Sequence, residues 1–351
     1  MDGFVARPAA IRGAARDFES LSDKADYIRK AASEWMHVPH DSSVLSAIAS
    51  EVDAIREALL DSYGSTGDYR RMMEGIVETL RATATDYENT DLDVARRADG
   101  LMHEIDRPST SSFASPGIDE EEYAARFSDG PQGNFDKYDQ FVSINKSINY
   151  MLDFKWIGSA LGQLGIADPI KMLKFELSGD WTKVGDALGA LDMVVQTLID
   201  VIWDIDGIVE ALDGKWEGNA SNAARDYFEK VRDVVMDSKN GFSASLERMT
   251  AESLAYKAAV DAMNDTFEAL VDAIPRPVSL ASALTDALEG LFTDALSRLL
   301  SRVKAFKLAF DLALAAAQIL VAGFAQIARI NEDTQFPQVP QWSAPDVSGA
   351  N

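Results

Sequence analysis

Few side chains in this sequence have the types and spacing needed for chemistry, and the histidines come first. There are three of them, His37, His40 and His103. His37 and His40 stand three residues apart with Asp41 beside them, a set that could form a weak metal site. Pro39 between them predicts a loop, and no fourth ligand is evident, so we expect no metal at this position.

An acidic group, Asp204, Asp206 and Glu210, superficially resembles part of a calcium-binding loop. It lies within an unbroken apolar helical pattern and lacks the alternating oxygen ligands that such a loop needs. The chain has no cysteine, which excludes thiol catalysis, disulfides and cysteine-ligated metals. It also has no phosphate-binding glycine loop and no Gly-X-Ser-X-Gly motif. We therefore expect a protein that is not an enzyme and binds no cofactor.

The net charge restricts the possible partners. The 351 residues include 33 Lys and Arg against 57 Asp and Glu, which gives a formal charge of -24. Such a negative field repels nucleic-acid phosphates and disfavours electrostatic docking onto anionic lipid. The N-terminus has no apolar signal-peptide core, so we do not expect export by the Sec route.

Along most of the chain, apolar side chains recur at steps of three and four, which is the spacing of an amphipathic helix. No segment alternates with the period of a strand over a useful length, so the sequence predicts an all-α fold with almost no sheet. A first hairpin is predicted to pair the apolar stripes in 44–59 and 73–87 across a turn at Tyr63 and Gly64.

A second predicted hairpin is longer. Residues 183–213 form a strongly apolar helix, and the next helix runs from about Asn219 towards Ile274. We expect a bend at Gly241 and a stop at Pro275. At about 1.5 Å per residue that helix would extend roughly 80 Å if it were continuous. The predicted architecture is therefore a set of long antiparallel helical hairpins that form elongated bundles.

These elements divide the chain into five parts. They are an N-terminal hairpin (1–105), a Ser/Pro/Gly-rich linker (106–138), the long hairpin (139–275), C-terminal apolar helices (276–330) and a flexible tail (331–351). The pattern does not say whether the two hairpins pack into one bundle or are held apart by the linker.

The turn of the long hairpin carries a Trp-X-Gly motif, Trp216-Glu217-Gly218. Glycine can adopt a positive φ and reverse the chain without a Cβ clash. The tryptophan beside it can cover the open end of two paired helices with a large ring. Any helical hairpin can use such a turn. Trp156-Ile157-Gly158 matches the same tripeptide, but no long helix precedes it.

Near the end of the first hairpin, Tyr87 is followed four residues later by Asp91. At this spacing the two side chains share one helical face. That face would offer a partner an aromatic anchor beside a charge. A surface Tyr and Asp on one helix is also a common arrangement without any function.

Together these motifs resemble a known group of proteins. The Trp-X-Gly turn, its Gly179-Asp180-Trp181 lead-in, the small residues after Gly218 and the aromatic pair Tyr227-Phe228 are similar to the WXG superfamily of helical-hairpin proteins. Combined with Tyr87 and Asp91, they make the chain resemble substrates of the actinobacterial type VII (ESX) secretion system. The first hairpin, with Tyr63-Gly64 at its turn, looks like the ESX secretion-associated proteins that have no tryptophan there.

The resemblance implies a function and partners. The Tyr-X-X-X-Asp motif would be an export signal, and the protein would leave the cytoplasm by a Sec-independent route. Its partners would be the secretion-system ATPase and either a co-secreted helical protein or a second copy of itself. The chain departs from the family because the two motifs lie on different hairpins. Either the N-terminal hairpin supplies the signal for the whole chain, or a co-secreted partner does.

Two other functions remain open. Residues 308–328 are hydrophobic nearly all round, and a spanning helix needs about 20 apolar residues. The segment is either a buried helix or a conditional membrane-inserting one, with the apolar residues Leu312, Leu314, Ile319, Leu320, Val321 and Phe324. The chain could also be the export region of a polymorphic toxin that lacks its catalytic domain.

Overall fold

A computed structural model describes residues 6–64, 67–98, 138–163, 165–274, 292–332 and 336–340. In these ranges the chain forms nine α-helices and no strand. They are α1 (Pro8–Trp35), α2 (Ser43–Tyr63), α3 (Asp68–Ala98), α4 (Gln140–Asp153), α5 (Lys155–Gln163), α6 (Pro169–Leu177), α7 (Thr182–Leu212), α8 (Asn219–Ala273) and α9 (Phe292–Glu332). The predicted all-α fold is confirmed. The predicted linker, apart from Tyr138, lies outside the described residues.

Local sequence signals set several helix ends. The Ser42 hydroxyl accepts a hydrogen bond from the backbone N–H of Leu45 and caps α2. The Asp168 carboxylate accepts from the backbone N–H groups of Ile170 and Lys171, and Pro169 occupies the first turn of α6. The break between α5 and α6 therefore has a clear physical cause.

α8 continues as one unbroken helix through Gly241, the residue at which we expect a bend. Gly241 allows close packing at this position. A Cβ atom added there would lie 2.9 Å from Cγ2 of Ile330 on α9, closer than real Cβ contacts occur. The 55 residues of α8 extend over about 82 Å at about 1.5 Å per residue.

The first helix joins the two predicted hairpins into one core. α1 packs against α3 on one side and against α7 on the other, with further contact to α2. Its alanines Ala14, Ala15 and Ala25 are fully buried, and small side chains allow close helix approach. The ring of Phe18 lies 4.7 Å from the ring of Phe228 on α8. The two hairpins are thus parts of the same bundle.

Helix pairing differs from two simple hairpins. α3 makes its largest contact with α1 and only a small one with α2. α8 packs more extensively against α9 than against α7, and α2 packs mainly against α9. The helices joined by each turn do touch, but each finds its larger partner elsewhere. The reason is that the apolar face of a helix is buried by any other apolar face that packs against it, and that face need not belong to the next helix in the sequence.

The contact between α1 and α7 contains buried charge. Lys24, which is 8% exposed, forms an ion pair with Asp204 of α7. Burial raises the pKa of the Asp17 carboxyl; nearby Arg16 opposes this rise and Asp204 adds to it. A buried lysine requires its carboxylate partner, so this pair restricts which turn of α1 can face which turn of α7.

α9 has two different apolar faces. One packs against α8 and α2 and includes Phe306, Phe310, Leu320 and Phe324, all buried. Of the other residues predicted for a membrane segment, Leu314 and Val321 are half-buried, whereas Leu312 and Ile319 are 59% and 50% exposed. Among the described helices, one stretch, Leu296–Ile330, is long and apolar enough to cross a membrane, and 39% of its most apolar window is buried.

Part of the predicted flexible tail is held against the bundle. The Phe336 ring lies 5.6 Å from the ring of Tyr63 and 5.7 Å from that of Tyr69, edge-on to both. The Tyr227 hydroxyl donates a hydrogen bond of 2.9 Å to the Pro337 carbonyl. Residues 336–340 are therefore anchored to α2, α3 and α8, and the end of the tail, 341–351, lies outside the described residues.

Because Phe18 joins α1 to α8, its truncation should destabilise the whole bundle. We expect Phe18→Ala to lower the free energy of unfolding by about 3–5 kcal/mol. Phe175, which is 68% exposed, is the matched control, and Phe175→Ala should change stability by less than about 0.5 kcal/mol. Urea denaturation followed by circular dichroism measures both. Equal losses for the two variants would contradict the packing described for α1.

Candidate functional site

The turn between α7 and α8 is built by backbone hydrogen bonds and glycine. The Leu212 carbonyl accepts from the backbone N–H groups of Lys215 and Trp216, each at 3.1 Å. Gly214 has φ +63° and Gly218 has φ +111°. The ψ of Gly218 is -177°, a region that is essentially restricted to glycine. The reason given for the glycine in the motif, a positive φ at the chain reversal, is confirmed.

Trp216 lies at the centre of this turn and is fully buried. Its carbonyl accepts a hydrogen bond of 2.6 Å from the Ser221 hydroxyl in the first turn of α8. Its backbone also forms an isolated antiparallel bridge with Ala6, and the Arg7 N–H donates to the Lys215 carbonyl at 2.9 Å. The start of the described chain is thus fastened to the turn. Nothing in the sequence pattern pointed to Ala6 or Arg7.

The indole of Trp216 meets the phenol of Tyr87. Its Nε1–H donates to the Tyr87 hydroxyl at 3.4 Å, a long hydrogen bond between residues 129 positions apart. Tyr87 is only 3% exposed. The expectation that Tyr87 offers an exposed anchor to a partner is therefore wrong. α3 packs on α1, and this packing buries the tyrosine ring.

Charged side chains flank this buried pair along the chain. The Arg12 guanidinium of α1 donates two hydrogen bonds of 2.6 Å to the Glu88 carboxylate of α3, and both side chains are partly exposed. Arg225 pairs with Asp213 at 2.9 Å across the turn. Glu217 is exposed. The residues next to Tyr87 and next to the turn are therefore polar and partly exposed, and two salt bridges order them.

Asp91 belongs to α3, but its side chain lies outside the described residues. The fold brings Trp216, Gly218 and Tyr87 together in one place, which we call the Trp216–Tyr87 junction.

The other predicted turn is elsewhere. Tyr63 is fully buried and stacks on Tyr69 with ring centres 5.3 Å apart, and burial raises the pKa of its hydroxyl. The Gly64 N–H donates to the Leu60 carbonyl at 2.8 Å, and a Cβ at Gly64 would lie 2.1 Å from that oxygen. Tyr63 lies beside Ser238, which is about 25 Å along α8 from Ser221 at about 1.5 Å per residue. The two turns are therefore separate features.

Metal-ligating residues do not come together in the described part of the chain. His37 and His40 are exposed, and His40 Nε2 lies 3.9 Å from a carboxylate oxygen of Asp53; His103 lies outside the described residues. Asp204 pairs with Lys24, Asp206 pairs with Arg232 at 2.7 Å, and Glu210 is exposed. No group of three or more His, Asp or Glu side chains with metal-binding geometry occurs among the described residues.

An open cleft of about 560 Å³ lies between the start of α2 and α6. It is lined by His40, Ser46, Lys171 and Phe175, among others. The one side chain of its rim that is buried, Ser42, already caps α2. The cleft therefore has no buried polar group aimed at a ligand.

The backbone of Gly218 gives the first test of the junction. We expect Gly218→Ala to destabilise the protein by about 1–3 kcal/mol, because alanine is strained at this φ and ψ. Gly162 is the matched control, since it lies in α5 with open space around its Cβ position, and Gly162→Ala should stabilise by up to about 1 kcal/mol. Thermal unfolding of both variants decides the matter. A neutral Gly218→Ala variant would mean that the turn is more permissive than its geometry indicates.

The chain was compared with protein-family models, with curated proteins and with solved structures, and none of them matches. Any functional conclusion therefore depends on the residues and their arrangement.

Proposed function

We propose that this protein is a substrate of a type VII (ESX) secretion system, or a structural component that is exported with one, and that it acts through helix–helix contacts without chemistry. One observation carries the proposal. Tyr87 and Trp216 mark two separate motifs 129 residues apart, and their side chains meet in the folded chain. The chain has nine tyrosines and six tryptophans, and the two that meet here are the two that carry the motifs.

This contact addresses the one departure from the family pattern. The motifs lie on different hairpins, which would be an obstacle if each hairpin were an independent module. α1 binds both α3 and α7, so the exposed residues around the two motifs would lie close together for a receptor. A single chain can then supply a complete signal without a co-secreted partner.

The buried state of the two aromatic residues shapes the proposed recognition. A receptor would contact residues around the junction such as the exposed Arg12 and Glu217 and the partly exposed Glu88. Tyr87 and Trp216 would hold those residues in register from below. Recognition would therefore require the folded bundle, and a linear peptide containing Tyr87 to Asp91 would be a poor competitor.

Export is the direct test. Wild type, Trp216→Ala and the double variant Tyr87→Ala/Asp91→Ala are expressed in a type VII-competent actinobacterium, and culture filtrate and lysate are blotted. We expect wild type in the filtrate and at least a tenfold loss for both variants, a change of about 1.4 kcal/mol in an equilibrium recognition step. Asp86→Ala is the matched control, because Asp86 is exposed on α3 beside Tyr87.

Folding must be separated from recognition in this assay. Tyr87→Phe keeps the ring and removes only the hydroxyl, so its stability should fall by no more than about 1.5 kcal/mol. Circular dichroism melts identify variants that remain folded, and an intracellular marker excludes lysis. If neither wild type nor any variant leaves the cell when the neighbouring genes are supplied, the export proposal fails.

A second candidate function is membrane insertion, which is favoured by one observation. The stretch Leu296–Ile330 has the length and composition of a membrane-crossing helix. Insertion would require α9 to leave α8 and to expose Phe306 and Phe324, so it would be conditional on a trigger.

This candidate predicts dye release from phospholipid vesicles, and Leu312→Glu with Ile319→Glu should abolish it by placing two carboxylates in the apolar stretch. Leu254→Glu is the control, since Leu254 is 54% exposed on α8 and lies outside α9. Intact vesicles at every pH tested, with wild-type protein present in excess, would eliminate the candidate.

A further inference from the structure

Residues 336–340 lie against the bundle as a short segment without helix or strand, which we call the strap. Its sequence is Phe-Pro-Gln-Val-Pro, so Pro337 and Pro340 form a Pro-X-X-Pro motif directly after Phe336. Proline holds φ near about -65° and disfavours the helical region for the residue before it. The strap is therefore predisposed to an extended conformation, the form in which aromatic-lined grooves recognise Pro-X-X-Pro segments.

The surface under the strap is an aromatic groove. We call it the strap groove, and it consists of Tyr63 on α2, Tyr69 and Gly75 on α3, and Tyr227 on α8. The Phe336 ring meets the rings of the first two tyrosines edge-on. The third donates its hydroxyl hydrogen to the Pro337 carbonyl at 2.9 Å. A proline offers a carbonyl but no N–H, so a hydroxyl donor is the complementary group for it.

Gly75 leaves room for the other apolar side chain of the strap. A Cβ atom added at Gly75 would lie 3.0 Å from Cγ2 of Val339, which is tighter than nine in ten real Cβ contacts. Gly75 lies inside α3, where glycine is less favourable than any residue except proline. The half-buried Val339 occupies the space that the missing side chain leaves. The groove therefore fits its ligand by shape at this position and by hydrogen bonding at the proline carbonyl.

The strap can leave the groove while the helices stay folded. Its residues Gln338 and Pro340 are exposed, and the segment is only five residues long. The three tyrosines of the groove, by contrast, are each at most 4% exposed and belong to the buried core. Segments with few buried contacts open locally, at a much smaller free-energy cost than global unfolding. Such an opening uncovers the ring edges and the hydroxyl donor of the groove together.

We infer that the strap groove is a docking site for an extended Phe-Pro-X-X-Pro segment, occupied within the chain by the strap and open to such a segment of another protein when the strap detaches. The contacts define the chemistry of that partner. It presents an aromatic ring, then a proline carbonyl, and a branched aliphatic side chain two residues after the proline. A second copy of this chain is disfavoured as the source, because each copy carries a net charge of -24.

The strap competes with any partner for the groove. A ligand tethered by a short connection acts at an effective concentration on the order of millimolar. An added peptide binds only the fraction of molecules in which the strap is detached, so its apparent dissociation constant is the intrinsic one divided by that fraction. Weakening the strap should therefore tighten the binding of an added peptide. The inference uses no residue of the Trp216–Tyr87 junction and is independent of the export proposal, so either can fail alone.

A disulfide lock tests whether the strap and an added peptide share the groove. The chain has no cysteine, and the Cβ position of Gly75 lies 3.5 Å from Cβ of Val339, within the range of disulfides. Full-length Gly75→Cys/Val339→Cys should hold the strap closed when oxidised and release it when reduced. The probe is a fluorescently labelled peptide with the sequence of residues 334–342, followed by anisotropy. We expect at least tenfold weaker binding to the oxidised form than to the reduced form.

Opening the strap should give the converse result. Phe336→Ala removes the ring that meets both tyrosines, so the full-length variant should bind the peptide at least tenfold more tightly than wild type. Gln338→Ala is the matched control, because Gln338 is an exposed residue of the strap, and it should behave as wild type. Adding Tyr227→Phe to the Phe336→Ala variant should weaken the binding roughly two- to tenfold, the loss of one hydrogen bond.

The specificity of the peptide and the folding of the variants complete the test. A peptide with alanine in place of its phenylalanine should bind at least tenfold more weakly. Circular dichroism checks folding, and the two redox forms of the lock are the same polypeptide, so they decide the matter even if Phe336→Ala does not fold. Equal binding to both redox forms, or no binding to any folded variant, overturns the inference. Wild-type dimers that are missing from the oxidised lock would show that copies exchange straps, which overturns the assignment to another protein.

Discussion

The burial of α1 between α3 and α7 is the constraint on which the rest of the structure depends. An amphipathic helix normally covers one neighbour, but α1 has apolar residues on two sides and covers two. Its alanines let both partners approach closely, and its one buried lysine fixes their register through Asp204. Tyr87 reaches Trp216 because of this arrangement, since α3 and α7 have no chain connection short enough to bring the two residues together.

The two ends of α7 show one solution to the same physical problem. A helix end leaves the core open, and a tryptophan beside it can cover that opening with a large ring while its buried N–H finds a hydrogen-bond acceptor. At the start of α7, Trp181 is fully buried, stacks on Tyr256 at 4.8 Å and donates to the Leu177 carbonyl at 2.7 Å. After its end, Trp216 covers the core and donates to Tyr87. The Trp-X-Gly turn therefore has a structural role that is sufficient to explain its residues, whatever its role in recognition.

The helices of this protein could be predicted from sequence because their ends depend on local signals. Proline at position 169, the cap at Ser42 and the glycine at 218 act within a few residues, and apolar periodicity marks the helices between them. Pairing of the helices could not be predicted in the same way. A stripe shows that a face is buried and does not show against what, so the exposure of Tyr87 was misjudged. The close packing at Gly241 could not be predicted for a similar reason, because the residue that approaches it, Ile330, lies on a different helix.

The bridge between Ala6 and Trp216 has a consequence for the timing of biosynthesis. Ala6 and Tyr87 leave the ribosome long before Trp216 does. The bridge and the aromatic contact both need Trp216, so neither forms until that residue has been synthesised. At about 5–20 residues per second, the 129 residues between Tyr87 and Trp216 take roughly 6 to 26 seconds to synthesise. During that time α1, α2 and α3 have been synthesised, but the turn that carries Trp216 has not. The Trp216–Tyr87 junction is consequently present only in a chain whose translation has passed α7. Any protein that recognises the junction binds after this region has been synthesised.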